Sequence, residues 1–150
     1  MPEENGGGHE IPAPAPEPPP PAIPEIVVPP ENRNLRFSLR HLDSRKQNFS
    51  LADCSADFFR MLLERIRDYS NWTVDDFCDQ NNNEHHHVID FPQTLEPNGF
   101  VGLGLDPDQI AYHEAWQFEL ARTEDWRVHG ILIDDTFYVI WLDPNHSLYP

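Results

Sequence analysis

Apolar residues fall on two different periods along this chain, and the alternation between them predicts its elements. From Leu35 to Leu39, Leu35, Phe37 and Leu39 alternate with Arg36, Ser38 and Arg40, the period of two expected of a half-buried strand that turns its arginines outward. The period then lengthens. Between Asp57 and Tyr69, Phe58, Phe59, Leu62, Leu63, Ile66 and Tyr69 recur at three and four residues, which predicts an amphipathic helix, with Ser50 and Asp53 at capping-box spacing ahead of it. Arg60, Glu64, Arg67 and Asp68 occupy the opposite face, where i,i+3 and i,i+4 pairs support a helix without any ligand. A second, short helix follows, capped by Thr73 with Asp76 at the third position, and Trp72 and Phe77 stand where a hydrophobic staple would place them.

Beyond Asp79 the pattern lapses into the polar run DQNNNEHHH, a short apolar stretch from Val88 to Phe91, and a loop holding Pro92, Pro97 and Asn98-Gly99. Asp106-Pro107-Asp108-Gln109 reads as a cap, a first-turn proline and an acidic start, predicting a helical turn as far as Tyr112. Three runs close the chain. Trp116 to Ala121 alternates, Trp126 to Ile133 is apolar on both faces, and Thr136 to Leu142 is β-branched and aromatic. They predict an antiparallel meander, its last two strands joined at Asp134-Asp135. The run from Arg127 to Ile133 is expected at the centre of the sheet, because only a central strand buries both faces. The order of elements implies an α+β fold of two layers, with one long and one short helix packed on the meander.

Composition divides the chain. Eleven of its 16 prolines lie in residues 1–31, together with six acids and no Lys or Arg; a segment so short of backbone donors is expected to be disordered or polyproline II. The reading is therefore a proline-rich tail over residues 1–32, containing PxxP spacings and an apolar island from Ile23 to Val28, and one folded domain over 33–150. Net charge is −16 for the whole chain, and the part after the tail keeps 20 acids against ten bases. Such a balance gives no overall attraction to nucleic acid or to an anionic membrane. No apolar run approaches the roughly 20 residues of a membrane span, and no basic-then-apolar segment opens the sequence, so a cytoplasmic protein without membrane attachment is expected. Cys54 and Cys78 lack CxxC spacing and are expected as buried thiols.

Candidate chemistry concentrates at the C-terminus. Arg127 and His129 share a sheet face, and the hairpin would bring Asp143 opposite Trp126, with His146 and Tyr149 just beyond. An arginine for bidentate phosphate contact, histidines that exchange protons near neutral pH and a phenol are the groups that cleavage of a phosphodiester by 2′-OH attack requires. A purely structural role for the same residues would pair Arg127 with Asp143, half-bury His129 and leave His146 and Tyr149 to close the chain. Nine of the ten bases are arginine, and Arg33, Arg36, Arg40, Arg45 and Lys46 offer a local basic face, with Arg36 and Arg40 as its substrate-binding candidates. His85, His86 and His87 cannot all face one metal, since on a strand only the outer two share a side. No metal or cofactor is expected, and neither the glycines at 102 and 104 nor any serine has the setting of a phosphate loop or a nucleophile.

The segment WRVHGILIDDTFYVIWLDPNHSLYP and the order of elements resemble the RelE/YoeB-like toxin superfamily, mRNA endoribonucleases of bacterial toxin–antitoxin pairs that act free or on the ribosome. Arg127-Val128-His129, the acidic turn Asp134-Asp135, the strand Phe137 to Trp141, and His146 with Tyr149 fill similar places. The resemblance implies metal-independent RNA cleavage, with Arg127 at the phosphate, His146 as the terminal histidine acid/base and Tyr149 as the terminal tyrosine; RNA, a ribosome and an antitoxin are the implied partners. The sequence departs from that pattern in three ways: Ser147-Leu148 separates histidine from tyrosine, no glutamate fills the general-base position, and the net charge is acidic. The same segment also resembles uncharacterised small bacterial proteins of similar length. The alternative to an enzyme is a protein-interaction module that uses the acidic surface and the proline-rich tail. Oligomeric state is not legible from the sequence.

Overall fold

The computed structural model describes residues 13–19, 28–79, 86–121 and 124–150. Most of the proline-rich segment lies outside them, and so do the reading of residues 1–32 as disordered and the residues from Gln80 to His85 of the polar run. The longest helix, α1, spans Ala56–Tyr69. Its cap is Ser55, whose hydroxyl accepts the Phe58 N–H at 3.1 Å, and not Ser50. Ser50 instead caps a separate 3-10 turn, Leu51–Asp53, by accepting the Ala52 N–H. Phe58, Leu62 and Tyr69 are buried, whereas Leu63 is 66% exposed. α2, Val74–Cys78, has the full capping box of Thr73 and Asp76. Tyr69 lies edge-on to both Trp72 and Phe77, with ring centroids at 4.8 and 5.3 Å. A third short helix, α3, covers Pro107–Tyr112.

Five strands form one mixed sheet: β1 (Arg36–Ser38), β2 (His86–Val88), β3 (Ala115–Glu119), β4 (Arg127–Ile133) and β5 (Thr136–Asp143), in the order β1-β5-β4-β3-β2. β2, β3, β4 and β5 pair antiparallel in succession, and β4 is the central strand. β1 departs from the meander: it pairs parallel to β5 at the edge. It is also shorter than its alternation implies, because the Ser38 hydroxyl accepts the Arg40 N–H and starts a turn. Leu39 is left 59% exposed.

The sheet is covered on both faces. α1 and α2 bury Phe58, Leu62, Tyr69, Val74 and Phe77 against Trp116, Phe118, Val128, Phe137, Val139 and Leu142. The opposite face carries Ile131, Ile140 and Trp141, and its cover is irregular chain, with Phe49, Ile89, Phe100 and Leu148 packed into it. The α+β fold with a helical layer on one side is thus as expected, while the aperiodic segments supply a second cover that no period announced. No helix among the described residues is long and apolar enough to cross a membrane.

One irregularity in the β4–β5 pairing positions the candidate site. From the Asp134-Asp135 turn, where Asp134 takes a φ of 55°, the β4–β5 register runs regularly from Ile133↔Thr136 to Gly130↔Val139, then shifts so that His129 faces Trp141 and Arg127 faces Asp143. Ile140 is the extra residue. This bulge corrects the expected pairing of Asp143 with Trp126 by one place, and a one-place shift exchanges sheet faces. Asp143 therefore stands on the side of His129 and not among the helices. Gly130 sits at the shift, where a Cβ would meet the Phe137 ring and the Tyr138 carbonyl.

Candidate functional site

Across β2, β3 and β4 the register aligns His87, Gln117 and His129 in one row on the face away from the helices. His129 is completely buried and Gln117 is 4% exposed. The Phe49 ring, itself stacked on Trp141 at 4.8 Å, meets the His129 ring edge-on at 5.8 Å. His129 Nε2 donates to Asp143 Oδ2 at 2.9 Å. At the other end of the row, His87 Nδ1 lies 2.9 Å from the Val88 carbonyl, which only accepts, so Nδ1 carries the proton. Its Nε2 then accepts from Gln117 Nε2 at 3.0 Å. Gln117 Oε1 and His129 Nδ1 are buried without a hydrogen-bond partner among the described residues.

Asp143 organises the C-terminus. Besides His129, its Oδ1 accepts the Ser147 N–H at 2.8 Å and its Oδ2 the Leu148 N–H at 3.1 Å. Three donors on a buried carboxylate stabilise its charged form. Burial opposes ionisation, but the His129 hydrogen bond and charge and the two backbone donors outweigh it and hold the carboxyl below its ordinary value. For His129 burial dominates: it lowers the pKa from the usual 6.5 against the pull of Asp143, helped by the nearby charges of His146 and His87. The turn that Asp143 ties together carries His146 at a φ of 55°, seats Leu148 in the core, and returns Tyr149 to β2. There the Tyr149 ring lies 5.6 Å from the His87 ring, and its oxygen accepts the Asp90 N–H at 2.9 Å.

Of the expected constellation, the structure bonds His129 to Asp143, whose carboxylate ties the turn that carries His146, and seats Tyr149 against His87; His87 and Gln117 join the row beside it. Asp143 bonds to His129 and not to Arg127, and His129 is fully rather than half buried. Arg127 is close by but occupied: its guanidinium donates to the carbonyls of Glu124 and Trp126 and stands 3.5 Å from Glu119, with 14% of the side chain exposed. Arg36 is elsewhere, 3.5 Å from Asp135 and in register with Thr136. That places it seven residues along β5 from Asp143, about 23 Å at the rise of a strand. Arg40 is exposed in the turn after β1. Of the two described histidines of the run, His86 faces the helical layer beside Phe77 and His87 reaches the site.

His87 entered the sequence reading only within the histidine run, as a metal candidate, and Gln117 not at all: with Glu119 it fills a polar position of the β3 alternation, where nothing sets it apart. Cys54 and Cys78 are half-buried free thiols, both pushed up to about 11, chiefly by burial. Among the described residues no group of three or more His, Cys, Asp or Glu side chains is arranged to hold a metal ion. No protein-family model, curated protein or solved structure matches this chain.

Proposed function

We propose that this face is the acid/base centre of an RNA endonuclease that cleaves by 2′-OH attack. The observation that carries the reading is the triply bonded Asp143, which ties down the C-terminal segment bearing a partly exposed imidazole, His146, and returns a phenol, Tyr149, to the exposed His87. His146 takes the proton of the 2′-hydroxyl; the 2′-oxygen attacks phosphorus, a 2′,3′-cyclic phosphate forms, and the 5′-oxygen leaves with a proton from Tyr149. The phenol is suited to donate, since its oxygen already accepts from Asp90 and its own O–H remains to be given. His129 is a positioning residue, out of reach of substrate. Arg127 supplies positive charge at the margin, where phosphate competes with Glu119.

The test is incubation of the purified protein with RNA, with and without EDTA and ribosomes, with product ends identified by mass. Cleavage to 2′,3′-cyclic ends that survives EDTA is expected, and His146→Ala should reduce it about 10²–10⁴-fold, the worth of one general acid or base, with no change in melting. Folded wild-type protein that leaves RNA intact even on ribosomes would overturn the proposal.

Net charge favours a second reading. At −16 the chain repels polyanions, which suits a module that binds a protein partner, an antitoxin-like one included, through its acidic surface and proline-rich tail. Deletion of residues 1–32 should then weaken the partner's capture without altering the melting transition.

A further inference from the structure

A cavity of about 540 Å³ opens between the loop at residues 97–107 and the ends of β2 and β3, a volume within the range of small-molecule sites. It adjoins the acid/base face directly. Ile89 and Phe91, two of its walls, flank Asp90, whose N–H holds the Tyr149 oxygen. The loop that walls it is tied to the C-terminal segment by the Leu95 N–H on the Leu148 carbonyl. Phe91 and Phe100 stand edge-to-face at 5.1 Å, and Phe100 rests on Trp141 at 4.7 Å, so the apolar walls are braced by the core.

The polar groups on the lining narrow the choice of occupant. The polar side chains there are Asn98, His113 and Glu114: Glu114, exposed at the rim, can only accept hydrogen bonds once ionised, the adjacent His113 offers an imidazole, and Asn98 offers both a donor and an acceptor. A carboxylate there disfavours a phosphate and calls for a planar group with two adjacent donors. Guanine has that edge: N1–H and the exocyclic amine both point at one carboxylate, O6 takes the Asn98 amide, and the ring faces lie against aromatic side chains, the usual manner in which proteins read an unpaired base. We infer that this cavity is the base-recognition site of the nuclease proposed above, that it takes guanine on Glu114 and Asn98, and that cleavage consequently follows guanosine. The inference rests on the nuclease reading for its biological meaning, but its ligand can be tested separately.

The probe is guanosine 3′-monophosphate titrated into the full chain, with the adenosine and cytidine 3′-monophosphates as controls. Calorimetry gives affinity, and the Trp141 indole signal in NMR spectra reports on the cavity. Guanosine monophosphate should bind at least tenfold tighter than the cytidine compound. Glu114→Gln, at an exposed position, should abolish that preference with an unchanged melting temperature, and Val101→Trp, at the exposed rim, should block all three. No binding by the wild type, or binding indifferent to Glu114→Gln, overturns the assignment. Guanosine binding without RNA cleavage would end the nuclease reading and leave the pocket standing; cleavage without base preference would do the reverse.

Discussion

His129 has no access to water, and its Nε2 is bonded to an acid that two backbone N–H groups also claim. In the unfolded chain it takes up a proton near its ordinary value of 6.5; folded, burial keeps it neutral to lower pH. Between those two values the unfolded state binds more protons, so stability is complete above about pH 7 and is lost as pH falls below 6.5, by up to about 1.4 kcal/mol per pH unit. Asp143, whose pKa is depressed in the folded state, adds a second loss that begins as pH falls below its ordinary 3.8. Melting temperature followed by circular dichroism from pH 8 to 3 should therefore show two declines, and His129→Gln should remove the upper one. Superimposable profiles for the two proteins would refute the buried neutral imidazole. This pair was only half legible in the sequence. Arg127, His129 and Asp143 stood out by residue type, but which base takes the carboxylate depends on a bulge at Ile140, and nothing in a run of β-branched and aromatic residues marks where an extra residue goes.

Elements were legible in proportion to their length. α1 and the three C-terminal strands each repeat their period several times, so the pattern outweighs any single residue. β1 and β2, three residues each, have too few repeats to encode a partner, and the parallel pairing of β1 is with β5, the last strand, beyond all three helices and the other three strands. The N-terminus of α1 shows how a local rule misleads. Ser50 and Ser55 both precede an acid and an apolar run, but the chain makes a 3-10 turn between them, and only Ser55 caps the long helix. Ser55→Ala should cost about 1 kcal/mol, the usual loss for an N-cap hydroxyl, while Ser50→Ala, which frees a single turn, should cost less than about 0.5 kcal/mol. Urea titrations would show this as a lower midpoint at constant slope for the first and almost no shift for the second. Equal effects would mean that the 3-10 turn and the helix unfold as one capped unit.

For the whole molecule, charge sets the strictest condition on any function with RNA. The cations that could form a basic face are largely neutralised at home: Arg33 and Arg36 by Asp135, Lys46 by Glu96, Arg60 by Asp57 and Glu64, Arg67 by Asp68, and Arg127 by Glu119. Ordinary nucleic-acid binders gain affinity by releasing counterions from phosphate and lose about 10³–10⁵ of it between 50 and 200 mM salt when they make six to ten phosphate contacts. On the nuclease proposal, a chain of net charge −16 would hold RNA by a base and offer its phosphate only a contested Arg127, leaving little to release, and salt would screen its repulsion. The affinity for a short guanosine-containing RNA, measured by fluorescence anisotropy, should accordingly hold constant or rise over that range. A steep fall would contradict recognition through the base and would show that a basic face assembles on binding, with Arg36 and Arg40, exposed at the β1 edge, as the first residues to substitute.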